Sequence, residues 1–311
     1  MNSDIKPTVS FVIVCMNNLK NLYPCLDSIK THTTVNYETL VVAYLFSQIN
    51  LQKLKEDYPW ITIIESNEIR GFSENNNLAL RQAKGEFCFV LNDDTLFEMP
   101  VADKLVDSFE FQKEASIFSP TILNEDNSIQ HCGRPPIKTF DFVKHIFNLK
   151  KYENIISKYN NQTGIFQTYN ISGSAFLIKT EVLRKLNYFD ERYFFCPEDI
   201  ALSTKANLQG YKCYVNEEVK LKHLHGKTSK KIEAATLPAS RKGTVIFYSA
   251  DYGVNKKLLE IIIFLESLIK IPVYIIFWNK IKLTAYRHVM FSIFSSSTPK
   301  EIFIRYYKKI V

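Results

Sequence analysis

Glycine is scarce in this sequence, and its cysteines form no recognisable pairs. The chain has 311 residues but only 9 glycines, and none directly follows the first apolar run, VSFVIVCM. A dinucleotide-dependent oxidoreductase needs a glycine-rich turn at that point, so this class of enzyme is disfavoured. The 6 cysteines include no CxxC pair. This spacing argues against a zinc or disulfide framework and favours reduced thiols in an apolar core.

Signals for export and for membrane spanning are also weak. The N-terminal residues, MNSDIKPTVS, lack the basic and apolar stretches of a secretory signal, so we expect a cytoplasmic chain. The longest apolar run, Leu258–Trp278, is interrupted by Glu260, Glu266, Lys270 and Pro272. We interpret it as an interfacial or oligomer-forming helix pair, the alternative being a pair that packs on the body of the protein or on a second subunit.

Charge is concentrated at the C-terminal end. The formal net charge is +7. From Lys256 onwards, ten Lys or Arg residues against three Glu residues give a surplus of seven, so residues 1–255 are neutral. A neutral body with a basic and apolar tail argues against nucleic acid as a partner and indicates peripheral contact with anionic lipid, at the inner face of the cell membrane.

The first hundred residues alternate apolar runs with segments of helical spacing. This pattern predicts an α/β fold with a Rossmann-like half, in which helices cover a parallel sheet. The predicted strands are Val9–Met16, Thr39–Phe46, Ile61–Glu65 and Phe87–Leu91, and the predicted helices lie near Leu19–Ile29, Leu51–Tyr58 and Glu74–Ala83.

The second half has a less regular pattern. Residues 135–170 show no clear period, which predicts a loop-rich insertion, and residues 236–311 are expected to form a helical C-terminal region. The other predicted elements are a helix over Val101–Gln112, a hairpin around Asn124–Asn127, a strand leading into a helix after Ser172, a helix ending at Gly210 and a strand over Tyr211–Val215.

Two acidic pairs are candidates for chemistry. Asp93 and Asp94 follow Asn92 at the end of a predicted strand, where a diphosphate would need a divalent cation between itself and the carboxylates. The cluster therefore indicates a Mg²⁺ or Mn²⁺ site, or alternatively a polar turn. Glu198 and Asp199 open a predicted helix, where an acidic residue is either a cap or a general base for an acceptor hydroxyl.

Two histidines are further candidates for the site. His223 and His225 lie two residues apart, so on a strand both would face the same side. They are either structural or, beside Lys222, Lys227 and neighbouring lysines, part of a site for an anionic ligand.

The order of these segments resembles the family 2 glycosyltransferases of the GT-A fold. The resemblance runs from about Val9 to Ser229 and covers VSFVIVCMNNLKNLYPCLDSI, GFSENNNLALRQAKGEFCFVLNDDT, SPTILNEDNSIQHCGR, SGSAFLIKTEVLRKLNYFDERYFFCPEDIAL and HLHGKTS. It implies an inverting, metal-dependent transferase that uses a nucleotide-diphosphate sugar, UDP- or dTDP-linked. Residues 1–100 would bind this donor and residues 101–235 the acceptor.

The resemblance also assigns roles to residues. It implies that Asp94 and His223 bind the metal, with His225 as the alternative to His223. It implies that Asp199, beside Glu198, is the catalytic base. The donor would be bound by Asn17, Asn77, Asp93 and Lys227, the last in a basic loop over Lys227–Lys231 that closes over the diphosphate.

The end of the second predicted strand departs from the family pattern. The family has an acidic residue there that contacts the nucleobase, whereas this chain has Ala43. The resemblance implies transfer to a glycan or a lipid-linked oligosaccharide in surface polysaccharide synthesis. The Ala43 departure and the apolar tail also fit a second hypothesis, a non-catalytic scaffold that binds a nucleotide sugar within a polysaccharide assembly complex.

Overall fold

The fold is a mixed sheet with helices on both faces. A computed structural model describes residues 6–136, 143, 159, 161–224 and 232–309. The strands are β1 (Val9–Met16), β2 (Tyr37–Tyr44), β3 (Thr62–Ser66), β4 (Phe87–Asn92), β5 (Thr95–Leu96), β6 (Ala115–Leu123), β7 (Ile129–His131), β8 (Ile165–Thr168), β9 (Ala175–Lys179) and β10 (Lys212–His223).

Helices follow most strands and continue to the end of the described chain. They are α1 (Leu19–His32), α2 (Gln48–Asp57), α3 (Phe72–Leu80), α4 (Val101–Phe111), α5 (Thr180–Lys185), α6 (Glu198–Leu208), α7 (Glu233–Asp251), α8 (Lys256–Ile276), α9 (Lys280–Ser292) and α10 (Pro299–Tyr307).

The sheet has a parallel half and a mixed half. Its order is β3-β2-β1-β4-β9-β6-β10-β5, with β7 beside β6 and β8 beside β10. Strands β3, β2, β1 and β4 run parallel, while β9 is antiparallel to both β4 and β6. The carboxyl ends of β1, β2 and β4 therefore meet at one edge, where ligands bind in open α/β sheets.

Both faces of β1 and β4 are buried, which explains why these two strands are almost continuously apolar. Phe11 and Phe89 face one core cluster with α1 residues such as Leu22. The alternate residues Val12 and Val90 face a second cluster on the other side of the sheet. Because successive side chains of a strand point to opposite faces, a run without polar residues is what a doubly covered strand requires.

The sequence predicted most of this half correctly. The four predicted strands, the hairpin β6–β7 and the helix that ends before Gly210 are confirmed, the last with Gly210 at φ 84° in the left-handed region. All 6 cysteines are free thiols and five are buried.

Three predictions need correction. The strand predicted over Tyr211–Val215 extends to His223. A register shift after Asn216 leaves the polar Glu217 and Glu218 out of the pairing with β6, which resumes at Lys220. Ile165–Thr168, assigned to a loop-rich insertion, is strand β8 on β10. Residues 137–142, 144–158 and 160 of that insertion lie outside the described residues.

The third correction concerns the apolar C-terminal run. The expected helix pair is one helix, α8, which includes Pro272. Pro272 is exposed, so the carbonyl that loses its intrahelical partner can hydrogen-bond to water instead. Among the described helices, none combines the length and apolarity needed to cross a bilayer.

The C-terminal helices pack on one another and on the sheet domain. Helix α7 contacts α8, α9 and α10, and buried ion pairs join α7 to α8. Phe303 of α10 stacks against Phe194 at 4.5 Å, and Lys300 pairs with Glu74 of α3 at 2.7 Å. The division at residue 235 into two domains stays a prediction.

We predict that Glu266→Ala destabilises the protein strongly. The Glu266 carboxylate is 1% exposed and accepts hydrogen bonds from Arg241 and from Tyr286 Oη at 3.0 Å. Removing it leaves the guanidinium buried without a counter-charge, which costs about 3–5 kcal/mol of unfolding free energy. Urea denaturation measures this loss. As a control, Glu110→Ala, which removes an exposed pair with Lys113, should leave stability unchanged.

Candidate active site

A cleft of about 320 Å³ opens at the carboxyl ends of the parallel strands. Strand ends, the turn after β4 and the start of α3 form its walls, as expected for a ligand site in a sheet of this type. It is lined by Val14, Met16, Asn18, Asn21, Tyr44, Arg70, Gly71, Phe72, Asn75, Asn92, Asp93, Asp94, Phe195, His223 and Ile232.

Two of the predicted metal ligands meet in this cleft. Asp94 lies in the turn between β4 and β5, and His223 is the last residue of β10. The antiparallel pairing of β5 with β10 places Thr95 opposite His223. As a result, Asp94 Oδ1 lies 3.0 Å from His223 Nε2, and both side chains are largely buried.

The hydrogen bonds of Gln130 assign the tautomer of His223. Gln130 Nε2 donates to Asn124 Oδ1 at 2.9 Å and to the His223 carbonyl at 3.4 Å, so its Oε1 must face the imidazole. That oxygen lies 2.7 Å from His223 Nδ1 and accepts the Nδ1 proton. With the proton on Nδ1, Nε2 of the neutral ring accepts a hydrogen bond from Asn92 Nδ2 at 3.1 Å. The Asp94 carboxylate oxygen beside Nε2 is a second acceptor, so the two atoms together offer lone pairs to a cation.

The Asp94 and His223 atoms fit a divalent cation. Octahedral coordination at about 2.1 Å puts neighbouring ligand atoms about 3 Å apart, which matches the Oδ1–Nε2 distance of 3.0 Å. Among the described residues, no group of three His, Cys, Asp or Glu side chains forms a complete metal site. Two protein ligands are enough when phosphate oxygens of a bound nucleotide supply others, as is common for Mg²⁺.

Asp93 lies beside this pair in a less polar setting. The pKa of its carboxyl is raised to about 7, chiefly by burial and also by the neighbouring Asp94 charge, while hydrogen bonds with Cys15 and Asn21 act in the opposite direction. A carboxyl with a raised pKa is a good hydrogen-bond donor to a ligand oxygen and becomes ionised when a cation binds nearby.

Asp199 lies next to the cleft but not in its described lining. Its Oδ2 accepts a hydrogen bond from Gly173 N at 3.0 Å and its Oδ1 one from Ile200 N at 2.8 Å. The carbonyl of Ser174, in the same segment as Gly173, accepts a hydrogen bond from Asn92 N at 3.0 Å. The Gly173–Ser174 backbone thus connects the carboxylate of Asp199 to Asn92, the residue before Asp93 and Asp94.

Glu198 is in a different environment from Asp199. Its side chain is buried, and its Oε2 has no hydrogen-bond partner among the described residues. Its pKa is raised to about 8, chiefly by burial and also by the charge of Asp199. A protonated carboxyl at neutral pH is a poor proton acceptor, so of the two predicted catalytic residues Asp199 is the better candidate for a base.

Two asparagines predicted to bind the donor have other contacts. Asn77 is fully buried. Its side-chain amide donates hydrogen bonds to the Phe189 carbonyl and to Glu191 Oε1 at 2.8 Å, and accepts one from Phe189 N, so it joins α3 to the 189–191 loop. Asn17 Oδ1 accepts hydrogen bonds from Ser47 N and Asn50 Nδ2. The side chain of Asn77 is thus engaged outside the described cleft lining, and donor binding by Asn17 and Asn77 stays a prediction.

Neighbouring asparagines line the cleft instead. They are Asn18, Asn21 and Asn75. A helical shift of two residues separates Asn75 from Asn77, so the two side chains lie on different sides of α3. The sequence FSENNNLAL contains three successive asparagines and gives no signal for which of them faces the ligand.

Ala43 does not contact the cleft. Its side chain is fully buried within the sheet, and the next residue, Tyr44, lines the cleft instead. The Tyr44 hydroxyl accepts a hydrogen bond from Arg70 N at 3.3 Å. Tyr44 and Arg70 therefore line the end of the cleft where the sequence pattern of the family predicted a carboxylate.

The amino end of α3 also opens on the cleft. Gly71 lines it, and a β-carbon there would lie 2.3 Å from the Phe194 carbonyl oxygen. Phe72 N donates to this same oxygen at 3.1 Å. Glycine is thus required for the close packing of α3 on the segment before Glu198.

His225, Lys227 and the rest of Lys227–Lys231 lie outside the described residues.

The chain belongs to glycosyl transferase family 2. The model of this family matches residues 10–186, more than half of the chain. The matched segment contains Asp93, Asp94, Gln130 and the Gly173–Ser174 backbone, whereas Asp199 and His223 lie beyond it.

Curated relatives include two bacterial polysaccharide proteins. The chain is 23% identical over 232 residues to the O-antigen biosynthesis protein RfbC of Myxococcus xanthus, covering 73% of this chain and 18% of that protein. It is 22% identical over 217 residues to the poly-beta-1,6-N-acetyl-D-glucosamine synthase of Staphylococcus aureus, covering 68% and 48%. The chain thus spans half or less of the length of these relatives.

Solved structures share the GT-A fold. TarS of S. aureus superposes with a TM-score of 0.54 at 14% identity, covering 82% of this chain and 69% of that one. The mannosyltransferase PcManGT of Pyrobaculum calidifontis, solved in complex with GDP-Man and Mn²⁺, superposes with a TM-score of 0.53 at 16% identity, covering 99% and 81%. The latter match includes the C-terminal helices.

We predict that Gln130→Leu weakens Mn²⁺ binding. Without the Oε1 acceptor, the His223 ring is free to rotate and to exchange its tautomer, and loss of such a partner typically costs about 10–100-fold in metal affinity. Calorimetric titration of Mn²⁺ in the presence of UDP measures the change. Gln112→Leu, which removes an amide bonded to Tyr214 on the far side of α4, is the matched control, and equal affinities for all three proteins would contradict the role of Gln130.

We predict that Glu198→Gln stabilises the protein at high pH. Because the folded-state pKa is raised from 4.5 to about 8, the wild type loses stability as the pH rises through that range, whereas glutamine carries no charge to bury. The melting temperature of the variant should exceed that of the wild type at about pH 9 by roughly 2–4 °C per kcal/mol relieved. The two proteins should converge near pH 4.5. The assignment would be contradicted if the difference in melting temperature from the wild type were the same at all pH values. It would also be contradicted if the control Glu125→Gln, at an exposed carboxylate, gave an equal difference.

Proposed function

We propose that the chain transfers a sugar from a nucleotide-diphosphate donor to a hydroxyl of a glycan, with a divalent cation at Asp94 and His223. The observation that carries this proposal is the 3.0 Å approach of Asp94 Oδ1 to His223 Nε2 inside the cleft of a family 2 glycosyltransferase. Mn²⁺ and Mg²⁺ both accept carboxylate and phosphate oxygens. The imidazole ligand favours Mn²⁺ over Mg²⁺.

The lining of the cleft supports a nucleotide as the bound part of the donor. Tyr44 offers an aromatic face for a base, and Asn18 and Asn21 offer amide groups for a ribose. Arg70, whose guanidinium also pairs with Glu68 at 2.8 Å, is the cationic residue of the described lining that could face the phosphates. We infer a UDP- or dTDP-linked sugar. Lys227, in the basic loop implied by the family resemblance, is proposed to cover the diphosphate.

The transfer is proposed to invert the anomeric carbon in one displacement. The Asp199 carboxylate, oriented by Gly173 N and Ile200 N, accepts the proton of the acceptor hydroxyl as its oxygen attacks. Asp93 holds the donor next to Asp94, and Gln130 orients His223. The bound cation would neutralise charge that develops on the leaving diphosphate.

The acceptor is proposed to be a growing surface glycan, either free or linked to a lipid. Support comes from the polysaccharide roles that RfbC and the poly-beta-1,6-N-acetyl-D-glucosamine synthase have by name, at 22–23% identity. Such a chain would act in the cytoplasm, at the inner face of the cell membrane. Residues 101–235 are proposed to bind the acceptor, with residues 236–311 as an attached helical region.

We predict that two carboxylate substitutions separate donor binding from catalysis. Asp94→Ala should abolish the Mn²⁺-dependent thermal stabilisation by UDP or dTDP, because it removes a metal ligand. Asp199→Asn should retain this stabilisation but lose about 10²–10⁴-fold in transfer rate, because the amide cannot accept the proton. Thermal-shift titrations and a sugar-transfer assay with the same nucleotide measure both effects.

The controls distinguish this proposal from a scaffold role. Asp107→Ala, at an exposed carboxylate of α4, should leave binding and transfer unchanged. Full transfer by Asp199→Asn would contradict the base assignment. Stabilisation by a nucleotide with no turnover of any nucleotide sugar would instead favour the non-catalytic scaffold.

A further inference from the structure

The outer surface of α8 and α9 has an unusual charge distribution. The fully described segment 252–300 contains only two acidic residues, Glu260 and Glu266, and both face inward. Glu266 pairs with Arg241 of α7, and Glu260 pairs with Lys242 of α7 at 3.1 Å. The charges that interrupt the apolar run in the sequence are thus neutralised inside the protein, and the outer surface of this segment carries no carboxylate.

Apolar side chains cover that outer surface at helical spacing. Leu258, Ile261, Leu265 and Leu268 are three or four positions apart, so they form one stripe along α8. The later exposed residues of α8 continue the same side of the helix into the turn before α9. The exposed large apolar residues are Leu258, Ile261, Leu265, Leu268, Ile269, Val273, Ile275, Ile276, Phe277, Trp278, Ile281, Phe291 and Phe294, hereafter the α8–α9 face.

The tip of this face is Trp278, which is 84% exposed. Its φ of 51° lies in the left-handed region, where helix ends usually have glycine or asparagine. Neither the local conformation nor packing within the described chain favours a tryptophan at this position. An exposed tryptophan with a strained backbone that the described fold does not require indicates that its indole contacts a binding partner.

Cationic side chains surround the stripe. Six lie in α8 and α9, namely Lys256, Lys257, Lys270, Lys280, Lys282 and Arg287. With no exposed acidic residue in the segment, a second copy of this face would bring like charges together, which disfavours a symmetric dimer through it. A surface of anionic phosphates over hydrocarbon complements both properties at once, because lysines bind headgroups while aromatic and aliphatic side chains enter the layer below.

We propose that the α8–α9 face binds the surface of an anionic lipid bilayer, with Phe277 and Trp278 inserted at the level of the headgroups. Helix α10 of the same C-terminal region contacts residues next to the cleft, since Phe303 packs against Phe194 and Lys300 pairs with Glu74. Binding through this face would hold the cleft close to a lipid-linked acceptor. Vesicle binding can be measured whether or not the chain transfers a sugar.

The fluorescence of Trp278 tests the proposal directly. The chain has 2 tryptophans, so Trp60→Phe in the full chain leaves Trp278 as the only indole emitter. Its emission should shift to shorter wavelength with vesicles that contain one third phosphatidylglycerol, and brominated acyl chains should quench it. Vesicles of phosphatidylcholine alone should give a much smaller shift. Unchanged emission with the anionic vesicles would overturn the proposal.

A matched pair of variants tests which surface is responsible. Phe277→Ser with Trp278→Ser should lower vesicle co-sedimentation at least about tenfold. Phe111→Ser with Leu208→Ser removes exposed apolar residues of α4 and α6 and should retain it. Equal binding by both variants would contradict the assignment. The proposal would also be contradicted if light scattering showed a wild-type dimer that dissociates in the first variant and does not bind vesicles. A second copy of the chain would then cover the α8–α9 face. UDP binding by every variant verifies folding.

Discussion

The candidate site depends on the short antiparallel pairing of β5 with β10. This pairing puts Thr95 opposite His223, and so brings a carboxylate from the β4–β5 turn to a ring from the far end of β10. The two residues are distant in sequence, and β10 reaches this position only because it bypasses Glu217 and Glu218 through a register shift. The hairpin β6–β7 adds Gln130, which fixes the proton of the ring on Nδ1.

Much of the fold could be predicted because the parallel half obeys simple patterns. Doubly buried strands such as β1 and β4 are continuously apolar, and α6 ends before a glycine in the left-handed conformation. Strand β8 could not be found in this way, since its residues alternate little and its pairing partner lies far along the chain. Pro272 suggested a break in α8, but the helix tolerates it on its exposed side.

The site was predictable in part. Its carboxylates stand at strand and helix ends, which is a pattern that sequence shows, and the family resemblance drew attention to Asp94 and His223. Which of several adjacent asparagines lines the cleft depends on the rotation of α3, and the sequence does not show that Asn75 does so while the side chain of Asn77 bonds Phe189. Gln130 and Tyr44 were missed, because a single glutamine on a hairpin and a tyrosine at a strand end have no distinctive spacing.

We propose that His223 and Asp94 hold one cation. Pulsed electron paramagnetic resonance of Mn²⁺ bound to the protein with UDP measures the ligands of the ion. We expect modulation from a directly coordinated imidazole nitrogen in the wild type, and its loss in His223→Ala. Bound Mn²⁺ without any nitrogen coupling in the wild type, or the same coupling in His223→Ala, would contradict it.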